Sequence, residues 1–175
     1  SSLLISMPQP LVRPMTHGDL ASVLSVQQQS YTTEFHEPFA AFESKWLASP
    51  DTCWVAERAG AVCAYLVCLP VEQRNLPALH AAAFQRASHP DWLYLHDLAI
   101  GPAARGAGLS PLLMACALEK AHAMSLPTIG LIAVQDSCAF WRKFGFEIDG
   151  SERLVSAAKL ATFGTQAVFM SRKIG

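Results

Sequence analysis

The sequence predicts a mixed α/β domain: one central sheet, mostly antiparallel, with helices on its flanks. Three observations carry that expectation. Residues 53–58 and 61–69 are apolar, β-type runs joined by Ala59-Gly60, the pattern of an antiparallel hairpin. Residues 92–134 read as strand, buried helix, strand, a succession that implies a parallel pair with a crossover. The length of 175 residues, 51% apolar and only 15% charged, suits one compact domain whose core needs no disulfide or metal staple. That domain is expected over 11–175, with 1–10 as an N-terminal extension. The extension lacks the basic region and cleavage site of a secretory signal, and its Ser-Ser start is compatible with a cloning remnant.

Taken in order, Leu11–Arg13 is a short extended segment. Thr16 followed by His17, Gly18 and Asp19 reads as a helix start, with Leu20, Val23, Leu24 and Gln27 at helical spacing. Glu37-Pro38 opens a second amphipathic stretch through Phe39, Phe42, Trp46 and Leu47, which stops before Ser49-Pro50. Residues 71–91 mix prolines, histidines and an Ala run, and are expected as an irregular loop on the acceptor side. Trp92–Ile100 is a strand, Gly101–Gly108 a loop, and Ser110-Pro111 the N-cap and first residue of a helix to about Met124, apolar nearly all round and therefore buried. Thr128–Val134 is a continuous apolar strand. Ser137–Phe144 is a short helix closed by Gly145, and a last strand at Ala167–Ser171 has a hairpin partner near 146–149.

Composition excludes several classes of function. Thirteen Lys and Arg against fourteen Asp and Glu leave a net charge of -1, with no basic block for a nucleic-acid backbone. The longest apolar run, Ala61–Leu69, is nine residues, where a membrane-spanning helix needs about twenty. Five cysteines without a C-x-x-C pair, mostly inside apolar stretches, suggest a reducing, cytoplasmic setting. Histidines 17, 36, 80, 89 and 122 have no ligand-like spacing, so no metal is expected.

The informative segment runs from Leu95 to Ser110. It reads as a strand, a loop with little side chain, and a helix whose first N–H groups point back at the loop. Gly106, Ala107 and Gly108 let backbone donors approach a ligand closely, and the helix dipole adds partial positive charge, so a pyrophosphate fits there as well as a plain tight turn does. A Walker A loop is excluded because no Gly-Lys-Ser/Thr occurs. The dinucleotide fingerprint fails because Pro111 stands in place of its third glycine. A hydrolase elbow is excluded because Gly108-Leu109-Ser110 continues as Pro111-Leu112.

Arg105-Gly106-Ala107-Gly108-Leu109-Ser110 resembles the Arg/Gln-x-x-Gly-x-Gly/Ala acetyl-CoA loop of the GCN5-related N-acetyltransferases, the GNAT superfamily. Leu98, Ile100, Pro102 and Arg105 match the segment that precedes it there. Ser110 departs from the usual Gly or Ala. Downstream, Phe140-Trp141-Arg142-Lys143-Phe144-Gly145-Phe146 is similar to the family's FYEKLGF element. Within the superfamily, Leu95–Ile100 and Phe140–Phe146 are most similar to arylalkylamine (serotonin) N-acetyltransferases and their bacterial relatives. The resemblance implies a GNAT fold whose parallel strands, 92–100 and 128–134, splay apart to take the pantetheine arm against Leu98, Ala99 and Ile100. Pyrophosphate then sits on Arg105, Gly106, Ala107, Gly108, Leu109 and Ser110, with Phe140 and Trp141 beside the pantetheine. Acetyl-CoA is the implied cosubstrate.

An amine acceptor is mostly protonated at neutral pH, and only its neutral form attacks a thioester, so a base is required. His96 stands where the arylalkylamine enzymes carry an active-site histidine, and imidazole titrates in the right range. Asp97 follows it. Strand alternation sends one of the two to each sheet face unless the strand bulges. Backbone N–H groups near 98–100 are the natural donors to a tetrahedral oxyanion. The tyrosine that protonates the CoA sulfur in many relatives is Trp141 here, which leaves Tyr94, Tyr31, a water chain or no acid at all. Tyr31, Phe35, Phe39 and Phe42 interleave with Glu34, Glu37 and Glu43, a mixture that suits either a pocket for a hydrophobic amine or an ordinary amphipathic helix. The expected reaction moves acetyl from acetyl-CoA to a small-molecule primary amine in a ternary complex. A peptide or protein amine is a further acceptor class, and an acyl-CoA-binding module with weak or no catalysis is the alternative. Either a monomer or a homodimer is compatible with the low charge.

Overall fold

A computed structural model describes residues 8–31, 35–72, 76–77, 83–134, 136–149, 160–164 and 166–175. The strands are β1 (Leu11–Pro14), β2 (Cys53–Arg58), β3 (Ala61–Val71), β4 (Trp92–Ile100), β5 (Thr128–Ala133), β6 (Glu147–Ile148) and β7 (Val168–Lys173). Helices α1 (Leu20–Ser30), α2 (Phe39–Ala48), α3 (Leu109–Ala123) and the short α4 (Cys138–Arg142) complete it. The sheet order is β1-β2-β3-β4-β5-β7-β6, and among the described residues only β4 and β5 run parallel. This is the mixed sheet flanked by helices that the sequence predicts.

Each sheet face carries its own core. On one, Trp54, Leu66, Leu93, Leu95 and Leu131 pack against Leu109, Leu113 and Ala117 of α3. On the other, Val55, Tyr65, Val67, Tyr94 and Phe169 meet Leu20, Val23 and Phe42 from α1 and α2. Full burial of each large side chain removes about 1.5–3 kcal/mol worth of apolar surface from water, so both helical layers are held by the sheet rather than by their own propensity.

Two expectations about α3 are corrected. The helix begins at Leu109, one residue before Ser110, and its N-cap is Gly108 in the left-handed region at φ 75°. The glycine turns the chain into the helix, so no Ser110 side chain is needed to cap it. Nor is α3 buried all round: Leu109, Leu113, Met114, Ala117 and Ala121 face the sheet, while Leu112 is 47% exposed. A helix lying on one side of a sheet buries one stripe only.

The strand that carries the chemistry is irregular where it matters. On β3 and β4, Val67 faces Asp97 but Cys68 faces Leu95, so His96 is an extra residue in β4. This bulge breaks the alternation. Leu95 packs on the α3 side, whereas both His96 and Asp97 reach partners on the α1/α2 side.

Candidate active site

Strands β4 and β5 pair only from Trp92–Thr128 to Leu95–Leu131. Beyond that point they separate, and the gap opens into a cavity of about 480 Å³. Leu98, Ala99 and Ile100 line one wall, with Leu131, Ile132 and Val134 opposite. The carbonyl of Leu98 accepts from the Tyr31 hydroxyl at 2.5 Å, and that of Ile100 from Ser30 Oγ at 3.3 Å. Both carbonyls therefore point away from β3. In a strand the N–H of a residue follows its C=O, so the Leu98 and Ile100 donors also face away from β3, toward the opened side.

At one end of the cavity lie Ala104, Arg105, Gly106, Gly108, Leu109, Ser110 and Pro111. Gly106 and Gly108 adopt φ of 83° and 75°, and a Cβ added to either would meet nothing within 4 Å. Sterics of the backbone, not crowding by protein atoms, demand glycine here. The space above them is open to a ligand, at the N-terminus of a fifteen-residue helix. This donor set fits a diphosphate. Ala107 is placed differently: it does not line the cavity, its N–H donates to Ala104 O at 3.3 Å, and its methyl packs on the α3-side core. The Arg105 side chain is exposed.

Phe140 and Trp141 close another side, their rings edge-to-face at 4.9 Å. Trp141 also meets Phe146 at 5.8 Å. Phe163 lines the cavity as well and had no sequence signal, since nothing in its neighbourhood repeats a motif.

The remaining end holds Tyr31, Phe35, Glu37, His96 and Asp97. The Asp97 carboxylate accepts from the Tyr65 hydroxyl at 2.7 Å. Burial pushes its pKa up to about 6, with the Glu37 charge adding to the rise while His96 and the tyrosine hydroxyls oppose it. His96 gives Nε2 to Glu37 Oε1 at 2.5 Å; its Nδ1 is buried and without a hydrogen-bond partner. Glu37 also accepts from Lys45 Nζ at 2.8 Å. Burial pushes the Glu37 carboxyl up, but His96 and Lys45 outweigh it and hold the group down at about 2.

Tyr94 does not line this cavity. It is buried in the α1/α2-side core with its ring 5.9 Å from that of His96, and burial drives its phenol far above the ordinary value. Tyr31 is likewise pushed well up by burial, so both phenols keep their protons near neutral pH. The aromatic and acidic residues expected together in one pocket are divided. Tyr31 and Phe35 line it, Phe42 packs on Tyr65 at 5.7 Å, Glu43 pairs with His17 at 2.8 Å, and Phe39 lies against the His17 ring. Glu34 lies outside the described residues. No described residue of 72–91 lines the cavity; Phe84 instead donates its N–H to Ser44 of α2 at 3.0 Å.

An opened parallel strand pair, a left-handed glycine loop and a helix N-terminus meet around one cleft. Residues 20–146 match the family described as Acetyltransferase (GNAT) family, and the chain belongs to that family. Among solved structures it is similar to Ard1 from Thermoplasma volcanium (TM-score 0.71, 18% identity, covering 95% of this chain and 99% of that one). It is also similar to the GphF GNAT-like decarboxylase in complex with isobutyryl-CoA (TM-score 0.74, 14% identity, covering 94% and 100%). A third is the ribosomal-protein-S18-alanine N-acetyltransferase from Escherichia coli (TM-score 0.64, 13% identity, covering 95% and 94%). At these identities the likeness is one of fold. No curated protein sequence matches the chain. No described helix is long and apolar enough to cross a membrane.

Proposed function

We propose that residues 11–175 form one catalytic domain that moves the acetyl group of acetyl-CoA to a primary amine of a small molecule, by direct attack within a ternary complex. The observation that carries this reading is the cleft itself: main-chain donors at one end, and a proton-accepting side-chain cluster at the other, joined by an opened strand. Acetyl-CoA supplies the activated thioester. Gly106, Gly108, Leu109 and Ser110 hold its diphosphate, and Leu98 to Ile100 align the pantetheine arm with their backbone groups. The free N–H groups of that strand are the donors for negative charge on the reacting carbonyl oxygen.

His96 receives the amine proton at Nδ1, because Nε2 is committed to Glu37; Nδ1 is buried, so the transfer requires the ring or its neighbours to shift as the acceptor binds. Asp97, on the same face through the bulge and ionised above about pH 6, draws the ammonium head of the acceptor toward the cleft. Tyr31 and Phe35 supply aromatic walls suited to an amine with an apolar body, which supports an arylalkylamine acceptor. Trp141 donates a hydrogen bond but no proton, and the departing thiolate, whose conjugate acid has pKa about 8.5, takes its proton from solvent. That substitution is what favours the second reading, an acyl-CoA-binding module with weak catalysis. Release of CoA thiol from acetyl-CoA, followed with arylalkylamines, polyamines, amino acids and peptide N-termini, separates the two. Turnover with a small amine supports the transferase. Tight acetyl-CoA binding with an intact thioester across the whole panel would replace it with the binding module, and preference for peptides would move the acceptor class.

A further inference from the structure

Behind His96 stands a charged network that the sequence pattern did not announce. The side chains of His96, Glu37 and Lys45 are 2%, 2% and 1% exposed. Glu37 is gripped from every side. Its N–H donates to Gln27 Oε1 and its C=O accepts from Gln27 Nε2, each at 2.9 Å, while its two carboxylate oxygens take His96 and Lys45. Three elements thus converge on one residue: α1 through Gln27 on its main chain, and α2 through Lys45 and β4 through His96 on its carboxylate. Withdrawing an ammonium and a carboxylate from water costs several kcal/mol per ion in general, and hydrophobic residues of similar volume commonly do as well for stability. A buried pair abutting the proton-accepting histidine has a chemical use instead.

We propose that Lys45 is a positioning residue for His96: its ammonium keeps Glu37 an acceptor-only carboxylate, so that the imidazole presents Nε2–H to Oε1 and reserves Nδ1 for the substrate proton. This rests on His96 being the base of the transfer proposed above. A carboxylate offers no hydrogen to a ring nitrogen, so the tautomer is fixed by the partner. Were Glu37 to protonate, it would donate, and the ring could turn its lone pair toward Oε1 and lose the free acceptor at Nδ1.

The titratable groups around His96 come from five elements. Glu37 lies on the α1–α2 connection and Lys45 on α2; Asp97 and Tyr94 belong to its own strand; Tyr65 on β3 sits on Asp97; and Tyr31 ends α1. The phenols stay neutral, leaving two carboxylates and one ammonium. Removing the ammonium favours imidazolium, and removing the Glu37 charge disfavours it. The two substitutions therefore move the histidine titration in opposite directions, which a loss of packing does not do.

The test is a pH titration by NMR of the full chain labelled with ¹⁵N-histidine, the His96 signals being identified by their absence in His96→Gln. Above its midpoint the unaltered protein is expected to carry hydrogen on Nε2 and none on Nδ1. Lys45→Met should raise the midpoint by about one pH unit or more, Glu37→Gln should lower it, and Lys45→Arg should return it close to the starting value. The acidic limb of kcat/KM should follow the same signs. An Nδ1–H tautomer in the unaltered protein overturns the proposal, as does a midpoint that fails to move, or moves the same way, in both folded variants. The tautomer needs no variant, so an Nδ1–H form overturns the proposal even where Lys45→Met does not fold. Absence of turnover with the expected tautomer and shifts would defeat the transferase reading and with it the catalytic use of the positioning, while leaving the effect of Lys45 on the His96–Glu37 pair established.

Discussion

The two ends of the cleft are made of different material. The coenzyme end is backbone: two left-handed glycines, a helix N-terminus and a strand whose N–H groups face away from its β3 neighbour. The acceptor end is side chain: His96, Asp97, Glu37, Lys45 and Tyr65, brought from β4, the α1–α2 connection, α2 and β3. The first is specified by local sequence and tolerates change outside its glycines. The second is specified by tertiary packing, and each member depends on the state of the next.

Substitutions at the two ends should therefore leave different kinetic signatures. The largest effect is expected from His96→Gln, which removes the proposed proton acceptor: kcat should fall about 10²–10⁴-fold with little change in the acetyl-CoA KM. A kcat within threefold of the unaltered enzyme at every pH would take His96 out of the chemistry. Gly108→Val places a β-branched side chain at φ 75° in the space read as the diphosphate site. Its acetyl-CoA KM should rise at least about tenfold while kcat changes less, and the reverse pattern would erase the distinction between the ends.

Stability should divide the acceptor end itself. Asp97 titrates at about 6 in the folded protein against about 3.9 unfolded, so the folded state holds its proton more tightly and stability falls as pH rises between about 4 and 6. Asp97→Asn should then stabilise the protein by about 1–3 kcal/mol at pH 7 to 8, with the gain gone below about pH 4, while activity drops. Glu37 runs the other way: held at about 2, its contribution is complete above the unfolded carboxylate value and is lost as pH falls through 4 toward 2. Urea unfolding of Asp97→Asn at pH 4 and pH 8 checks the first sign, and a gain that does not grow with pH contradicts it. The smallest effect belongs to Arg105→Ala. Its side chain is exposed, so if the loop binds through main chain, acetyl-CoA KM should change by less than about threefold.

The same contrast explains how much could be read from sequence. Leu98 to Ser110 and Phe140 to Phe146 were legible because their chemistry lies in consecutive residues: glycines at a turn and an apolar helix behind them. The sheet was legible because β2 and β3 share a short turn, and because the parallel pairing of β4 with β5 follows from the helix between them. Lys45 and Gln27 were not legible. At helical spacing a lysine beside Glu43 and Trp46 reads as a solvated position, and only the folded chain shows it buried on Glu37. The extra residue in β4 was also hidden, since nothing in Leu95-His96-Asp97-Leu98 distinguishes a bulged strand from a regular one. Tyr94 illustrates the converse: offered by the sequence as a proton donor, it shares the sheet face of His96 but is buried in the α1/α2-side core and does not line the cavity.

Calorimetric titration with CoA and with pantetheine, which lacks the diphosphate, tests the account most directly. CoA should saturate one site per chain and pantetheine should bind at least about a hundredfold more weakly, with Gly108→Val removing most of that difference. Equal affinity for the two ligands, or no heat with CoA, would contradict it.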